Sequence, residues 1–222
     1  MGLAICDSLP LPKRDESGCR TQLERRQTAL WACKSIIAKT TGDAKAAFHY
    51  SQRRFQAAEA EHIATGILTP FLTATYNDLG QSYAMNRLHD QAIHFLERSV
   101  ELRKQMPKFQ KDWLYSPYYH MGVTYHCMEK FEEAARVLQV AIADREEAIG
   151  PNDRVSHRTG ALYYVLGNVR NSQGLLDEAY ALHHRASIQC RGTVGESGLP
   201  TLKCSQKLAE HYERYRYDSE AR

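Results

Sequence analysis

Apolar residues recur in this chain at the three- and four-residue spacings of helices, and one arrangement of them repeats. Tyr76, Leu79, Gly80 and Tyr83 spell aromatic-x-x-Leu-Gly-x-x-Tyr, with Ala92 further on. Tyr118, Met121, Gly122 and Tyr125 repeat it with Ala134, and Tyr163, Leu166, Gly167 and Arg170 with Ala179. A fourth copy runs Ser205, Leu208, Ala209 and Tyr212, with Ala221. In every copy the two small residues stand 12 apart, and the copies follow at intervals of 42, 45 and 42 residues. A fixed period between about 20 and 50 residues predicts a stack of like units rather than one irregular core. Each unit reads as a helical hairpin, with insertions confined to the connections.

Close packing explains the pattern. A residue without a large side chain at Gly80, Gly122, Gly167 or Ala209 lets one helix backbone approach its neighbour, and the alanine 12 positions on does the same from the facing helix. A leucine placed at Gly122 or Ala134 is therefore expected to overpack the joint, at roughly 1–3 kcal/mol or more. Local signals predict the same boundaries. Thr69-Pro70 and Ser116-Pro117 read as an N-cap followed by proline at the first helical position, and Gly150-Pro151 reads as a helix stop. Asp90, Glu132-Glu133 and Asp177-Glu178 fall where the second helix of each unit begins, matching its positive end.

The N-terminal third is less regular. Residues 1–20, with Pro10 and Pro12 among interspersed charges, show no helical period and read as a mobile tail. Residues 21–66 read as a helical hairpin. Leu23, Leu30, Cys33 and Ile37 recur at helix spacing to about Lys39, Thr41-Gly42-Asp43 turns, and a second helix runs to about Ala64. Trp31, Ser35 and Ala47 fit a degenerate first unit, while Lys34 falls in an apolar slot of that register, so the assignment stays open. Residues 69–222 form the array, three full repeats and a terminal half repeat. Arg222 directly follows the second small residue of the fourth copy, whose helix around Lys207–Arg214 is polar enough to act as a cap.

The pattern Tyr-x-x-Leu-Gly-x-x-Tyr followed by alanine resembles the tetratricopeptide-repeat (TPR) signature, W-x-x-L-G-x-x-Y and then A-x-x-x-F. Tyrosine replaces tryptophan in three copies, and Leu96, Leu138 and His183 stand where phenylalanine is usual. The units exceed the family's standard length of about 34 residues. With helix ends such as Ala148–Asp153 they are similar to the repeats of kinesin light chains and of multi-repeat fungal proteins. The resemblance covers Thr69 to the C-terminus and implies an all-α fold, a right-handed TPR solenoid of antiparallel helix pairs. It also implies an inner surface built from first helices: Asn77, Gln81 and Ala84; Tyr119, Val123 and His126; Tyr164, Asn168 and Asn171; then Gln206, Glu210 and Glu213. The two-carboxylate clamp of the family's chaperone-binding members is poorly matched, because Tyr119 and Tyr164 occupy slots where lysine is needed.

Composition narrows the function classes. With 29 Lys and Arg against 26 Asp and Glu, the chain has a net charge of +3 and lacks a basic block that would track phosphates, so nucleic acid is not an expected partner. No apolar run is long enough to cross a membrane. Six cysteines without a C-x-x-C pair or a signal peptide read as reduced thiols in the cytoplasm, and Gly2 lacks the downstream Ser or Thr of a myristoylation signal. His183-His184 diverge on a helix, and His120 and His126 miss the i, i+4 spacing of helical zinc ligands. Cys127 beside His126 likewise points away from it, and phosphate-binding and nucleophile-elbow motifs are missing. No catalytic residue, metal or cofactor is expected.

The expected function is that of a non-catalytic scaffold or adaptor holding a partner peptide, with Asn77, Gln81, Tyr119, His126, Tyr164, Asn168 and Asn171 lining the groove. Such amides and aromatics can hydrogen-bond a peptide backbone and cover apolar side chains. The alternative is a regulatory or homo-oligomerising fragment of a larger TPR-containing sensor, in contact through the C-terminal half repeat.

Overall fold

The computed structural model describes residues 20–150 and 156–220, the side chains of 215–220 excepted. The tail expected over residues 1–20 lies outside the described residues except for Arg20, as do the 151–155 connection and Ala221. The described residues are all-helical: α1 Gln22–Thr41, α2 Ala44–Thr65, α3 Pro70–Met85, α4 His89–Lys104, α5 Tyr115–Cys127, α6 Phe131–Ile149, α7 Arg158–Ser172, α8 Leu176–Val194 and α9 Leu199–Glu220. A 3-10 turn, Lys111–Leu114, leads into α5. The chain divides into two units, the first ending at Phe109 and the second beginning at Gln110.

In the first unit the caps are local. The Thr21 hydroxyl accepts from the Glu24 N–H, Asp43 from that of Ala46 and Thr69 from that of Leu72, while Gly42 and Gly66 end α1 and α2 in the left-handed conformation. Proline at the start of α3 follows Thr69 as its spacing predicts. The packed face of α1 differs from the Leu23, Leu30, Cys33, Ile37 stripe. Glu24, Thr28, Trp31, Ser35 and Ala38 are buried, whereas Leu23 and Ile37 are more than half exposed. The reason lies on α2, which offers a seam of small residues, Ala47, Ser51 and Ala58. A serine ladder then ties three helices: Ser35 and Ser51 hydroxyls are 2.9 Å apart, Ser51 and Ser82 2.8 Å. An aromatic cluster of Phe48, Phe55, Tyr76, Tyr83 and Phe95 fills the space between α2, α3 and α4, with centroids 4.9–5.7 Å apart.

In the second unit α6, α7 and α8 enclose the core, with Leu138, Leu162, Val169 and Ala186 fully buried. Ser116 does not cap α5. The 3-10 turn runs straight into the helix, which begins at Tyr115, and Pro117 sits in its first turn, where a missing N–H leaves no bond unmade.

The repeat's small residues do what the spacing requires in both units. Ala92, Ala134 and Ala179 are fully buried. A Cβ added at Gly80 would lie 2.8 Å from Leu96 Cγ, one at Gly122 2.5 Å from Leu138 Cγ, and one at Gly167 2.6 Å from His183 Cδ2. The residue 16 positions after each glycine therefore fills its notch. The turns between paired helices are also alike. Arg87, Glu129 and Gly174, each seven beyond a repeat glycine, have φ of 61°, 59° and 79°. The next N–H bonds back to a first-helix carbonyl: Leu88 to Tyr83, Lys130 to Tyr125, Leu175 to Arg170. This six-to-one bond is the Schellman ending of a helix.

The fourth copy departs from the others. Thr201, Cys204 and His211 face α8, while Ala209 is exposed and Tyr212 is 60% exposed. Among the described residues no helix follows α9 to take up the face that Ala209 presents.

Candidate partner-binding site

The second unit holds a cavity of about 350 Å³ among α5, α7 and α9. Tyr115, Tyr119 and His120 line it from α5, Ala161 and Tyr164 from α7, Leu199, Pro200, Lys203 and Cys204 from α9, with Cys190 contributed by α8. A buried cation lies beside Tyr115, one of the lining residues. Arg145, 2% exposed, pairs with Asp112 and donates to Thr159 Oγ1 and Ser156 Oγ, both at 3.0 Å. Its guanidinium lies 5.3 Å from the Tyr115 ring, and that of Arg158 lies 5.4 Å from it. Burial pushes the phenols of Tyr115 and Tyr119 above their ordinary range, with Tyr119 adding to the first and Tyr164 to the second. At neutral pH both are therefore neutral O–H groups, able to donate.

Residues expected to line a groove divide by environment. In the first unit Asn77 is 6% exposed and Gln81 is half-buried. In the second, Tyr119 and Tyr164 share the cavity. His126 Nε2 lies 2.9 Å from Ser172 Oγ, and burial lowers its pKa. The Asn171 side-chain oxygen accepts from Arg214 at 3.2 Å. Asn168 is engaged inside the fold: its Oδ1 accepts from His183 Nε2 at 3.2 Å, and His183 Nδ1 in turn lies 2.9 Å from His211 Nε2. This chain assigns the tautomers, with His183 donating to Asn168 and His211 donating to His183. Burial, reinforced by His211, depresses the His183 pKa to about 4.

Four contributors were not evident from the repeat alignment. Tyr115 stands one helical turn before Tyr119, so the i, i+4 relation could have found it. Lys203 and the thiols of Cys190 and Cys204 come together only through the packing of α9 on α8 and α7, which sequence spacing does not encode. Among the described residues no group of three or more His, Cys, Asp or Glu side chains is placed to hold a metal ion. Nor is any described helix long and apolar enough to cross a membrane.

Comparison with known proteins agrees with this geometry. A family model described as a tetratricopeptide repeat matches residues 72–106 and 118–154. Among solved structures, a Podosopora anserina protein assigned as a kinesin light chain with nearly identical TPR-like repeats superposes with a TM-score of 0.65 at 16% identity. The match covers 94% of this chain and 92% of that one. A point variant of that same protein gives 0.66 with the same identity and coverage. BtubC (BKLC) from P. vanneervenii gives 0.55 at 16% identity, over 91% of this chain and 94% of that one. No curated protein sequence matches the chain. Residues 72–106 and 118–154 thus match the tetratricopeptide repeat, and the fold is similar to that of the Podosopora anserina protein with its TPR-like repeats.

Proposed function

We propose that the protein is a non-catalytic interaction module that holds an extended or helical segment of a partner protein along the first helices of its second unit. The observation that carries this reading is the cavity walled by Tyr115, Tyr119 and Tyr164, deep enough for one apolar side chain and edged by groups that can bond a peptide backbone. His126 and Asn171 extend the same surface toward the ends of α5 and α7. In the first unit Gln81 supplies a separate polar contact, and Asn77 is too buried to supply much. Asn168 acts indirectly, by orienting His183.

Tyr119→Ala with Tyr164→Ala tests the reading. Partner capture is expected to fall at least tenfold while circular dichroism still reports a folded helical chain, with some loss in the unfolding midpoint because both rings pack against the core. Unchanged capture by a folded double variant would refute it. A second reading, self-association through α9, draws on the exposure of Leu199, Leu202 and Tyr212, at 65%, 52% and 60%. A mass in solution that rises with concentration, and returns to the monomer value in Leu202→Glu, would favour it.

A further inference from the structure

We infer that Cys190 and Cys204 form a reversible dithiol–disulfide site that fastens α9 to α8 when a low-molecular-weight disulfide enters the cavity. The two cysteines lie on different helices, both 1% exposed, in one buried cluster. Their side chains are within hydrogen-bonding reach of each other. Cys190 is held in place by its surroundings, its Sγ seated in the notch of Gly160, 2.7 Å from where a Cβ would stand. Both residues line the 350 Å³ cavity, which is the route by which a small reagent approaches the pair. Cys33 and Cys127, by contrast, are exposed and have no thiol beside them among the described residues.

The hydrogen bond matters for reactivity. The Cys204 S–H stabilises the Cys190 thiolate, and the Cys204 thiol is correspondingly harder to ionise while that bond persists. Cys190 is therefore the attacking sulfur. Its thiolate displaces one thiolate from the small disulfide and forms a mixed disulfide; the displaced group leaves as a thiol after taking up a proton. Cys204, losing its proton to solvent or to that leaving group, then attacks the Cys190 sulfur and releases the second small thiol. Two protein thiols are oxidised and one small disulfide is reduced to two thiols.

The consequence falls on α9. Its ties to α8 and the preceding turn are the His183–His211 contact, the Tyr180–Tyr212 hydroxyl pair at 3.0 Å and a bond from Thr201 to the Gly195 carbonyl at 2.8 Å. A covalent link closing the short 190–204 loop should restrict the opening of α9 on the order of a hundredfold.

The test uses the full chain with Cys6, Cys19, Cys33 and Cys127 changed to serine, exposed to bis(2-hydroxyethyl) disulfide. The expected product is a monomer lighter by two hydrogens, with the 190 and 204 peptides joined, and with hydrogen exchange in α9 slowed about a hundredfold until a reductant is added. In the same background Cys204→Ser is expected to stop at a stable adduct on Cys190 with no slowing. Persisting adducts on both cysteines, an intermolecular dimer, or thiols that stay unreacted would each overturn the inference. Should the serine background fail to fold, peptide mapping of the oxidised natural chain for the 190–204 link decides in the same way. None of these readouts involves a partner, so the site stands or falls apart from the proposed peptide binding.

Discussion

Changing Gly122 to alanine probes the nesting of helices directly. The added Cβ would meet three atoms of Leu138 at 2.5, 2.6 and 3.0 Å, where carbon atoms in contact normally sit about 3.5–4.0 Å apart. Leu138 is fully buried, so it cannot swing into solvent, and the backbones of α5 and α6 must part or the leucine must leave its rotamer. Overpacking of this kind costs about 1–3 kcal/mol and sometimes more, and three contacts this short place it at the upper end. Alanine regains about 1 kcal/mol of helix propensity over glycine, leaving a net loss of about 2 kcal/mol. The companion change Leu138→Ala costs about 2–5 kcal/mol alone, through the cavity it leaves. In the double variant the new methyl occupies part of that cavity, so the two losses should fall short of their sum by about 1–2 kcal/mol. Urea unfolding of all four chains measures the cycle. A Gly122→Ala variant as stable as the natural chain, or strict additivity, would refute the reasoning.

Other outcomes follow from single features. Glu129→Gly should raise stability by about 1 kcal/mol, because Glu129 holds a positive φ that glycine adopts freely; Gly174→Ala should lower it by a similar amount, both read from unfolding midpoints. Stability should also fall in acid. The folded His183 pKa of about 4 lies below its ordinary 6.5, so the native state binds this proton less readily than the unfolded chain. The contribution is complete above pH 6.5 and is lost as pH drops toward 4, at no more than about 1.4 kcal/mol per pH unit. His211, also lowered by burial, acts in the same direction, while Lys207 and Glu210 oppose each other at His183. Unfolding measured between pH 7 and 4 should show a shallower slope for His183→Phe than for the natural chain; an equal slope would remove His183 from the account.

The repeat was legible because it is a packing rule. Gly80, Gly122 and Gly167 had to be small and helical, and the leucines or histidine 16 positions later fill the space they leave. The left-handed turns were not read from the sequence: Gly174 carries the residue that favours them, but at Arg87 and Glu129 the backbone conformation overrides the residue's own preference. On α1 the apolar stripe pointed to Leu23 and Ile37, yet Trp31, Ser35 and Ala38 are packed, since a helix facing small residues on α2 gains more from close approach than from hydrophobic bulk. Tyr119 and Tyr164 could be placed by register. The role of Asn168 could not, because His183 reaches it from the second helix of the same repeat and His211 completes the chain from α9.

On the proposed function, partner binding resides on the first-helix face of the second unit. A photoreactive phenylalanine analogue placed at Tyr164, with one at the exposed Val140 of α6 as the control, tests it most directly. A cross-link to another polypeptide is expected from residue 164, suppressed by excess unlabelled chain, and none from residue 140. Equal labelling from both sites, or labelling from residue 140 alone, would contradict it.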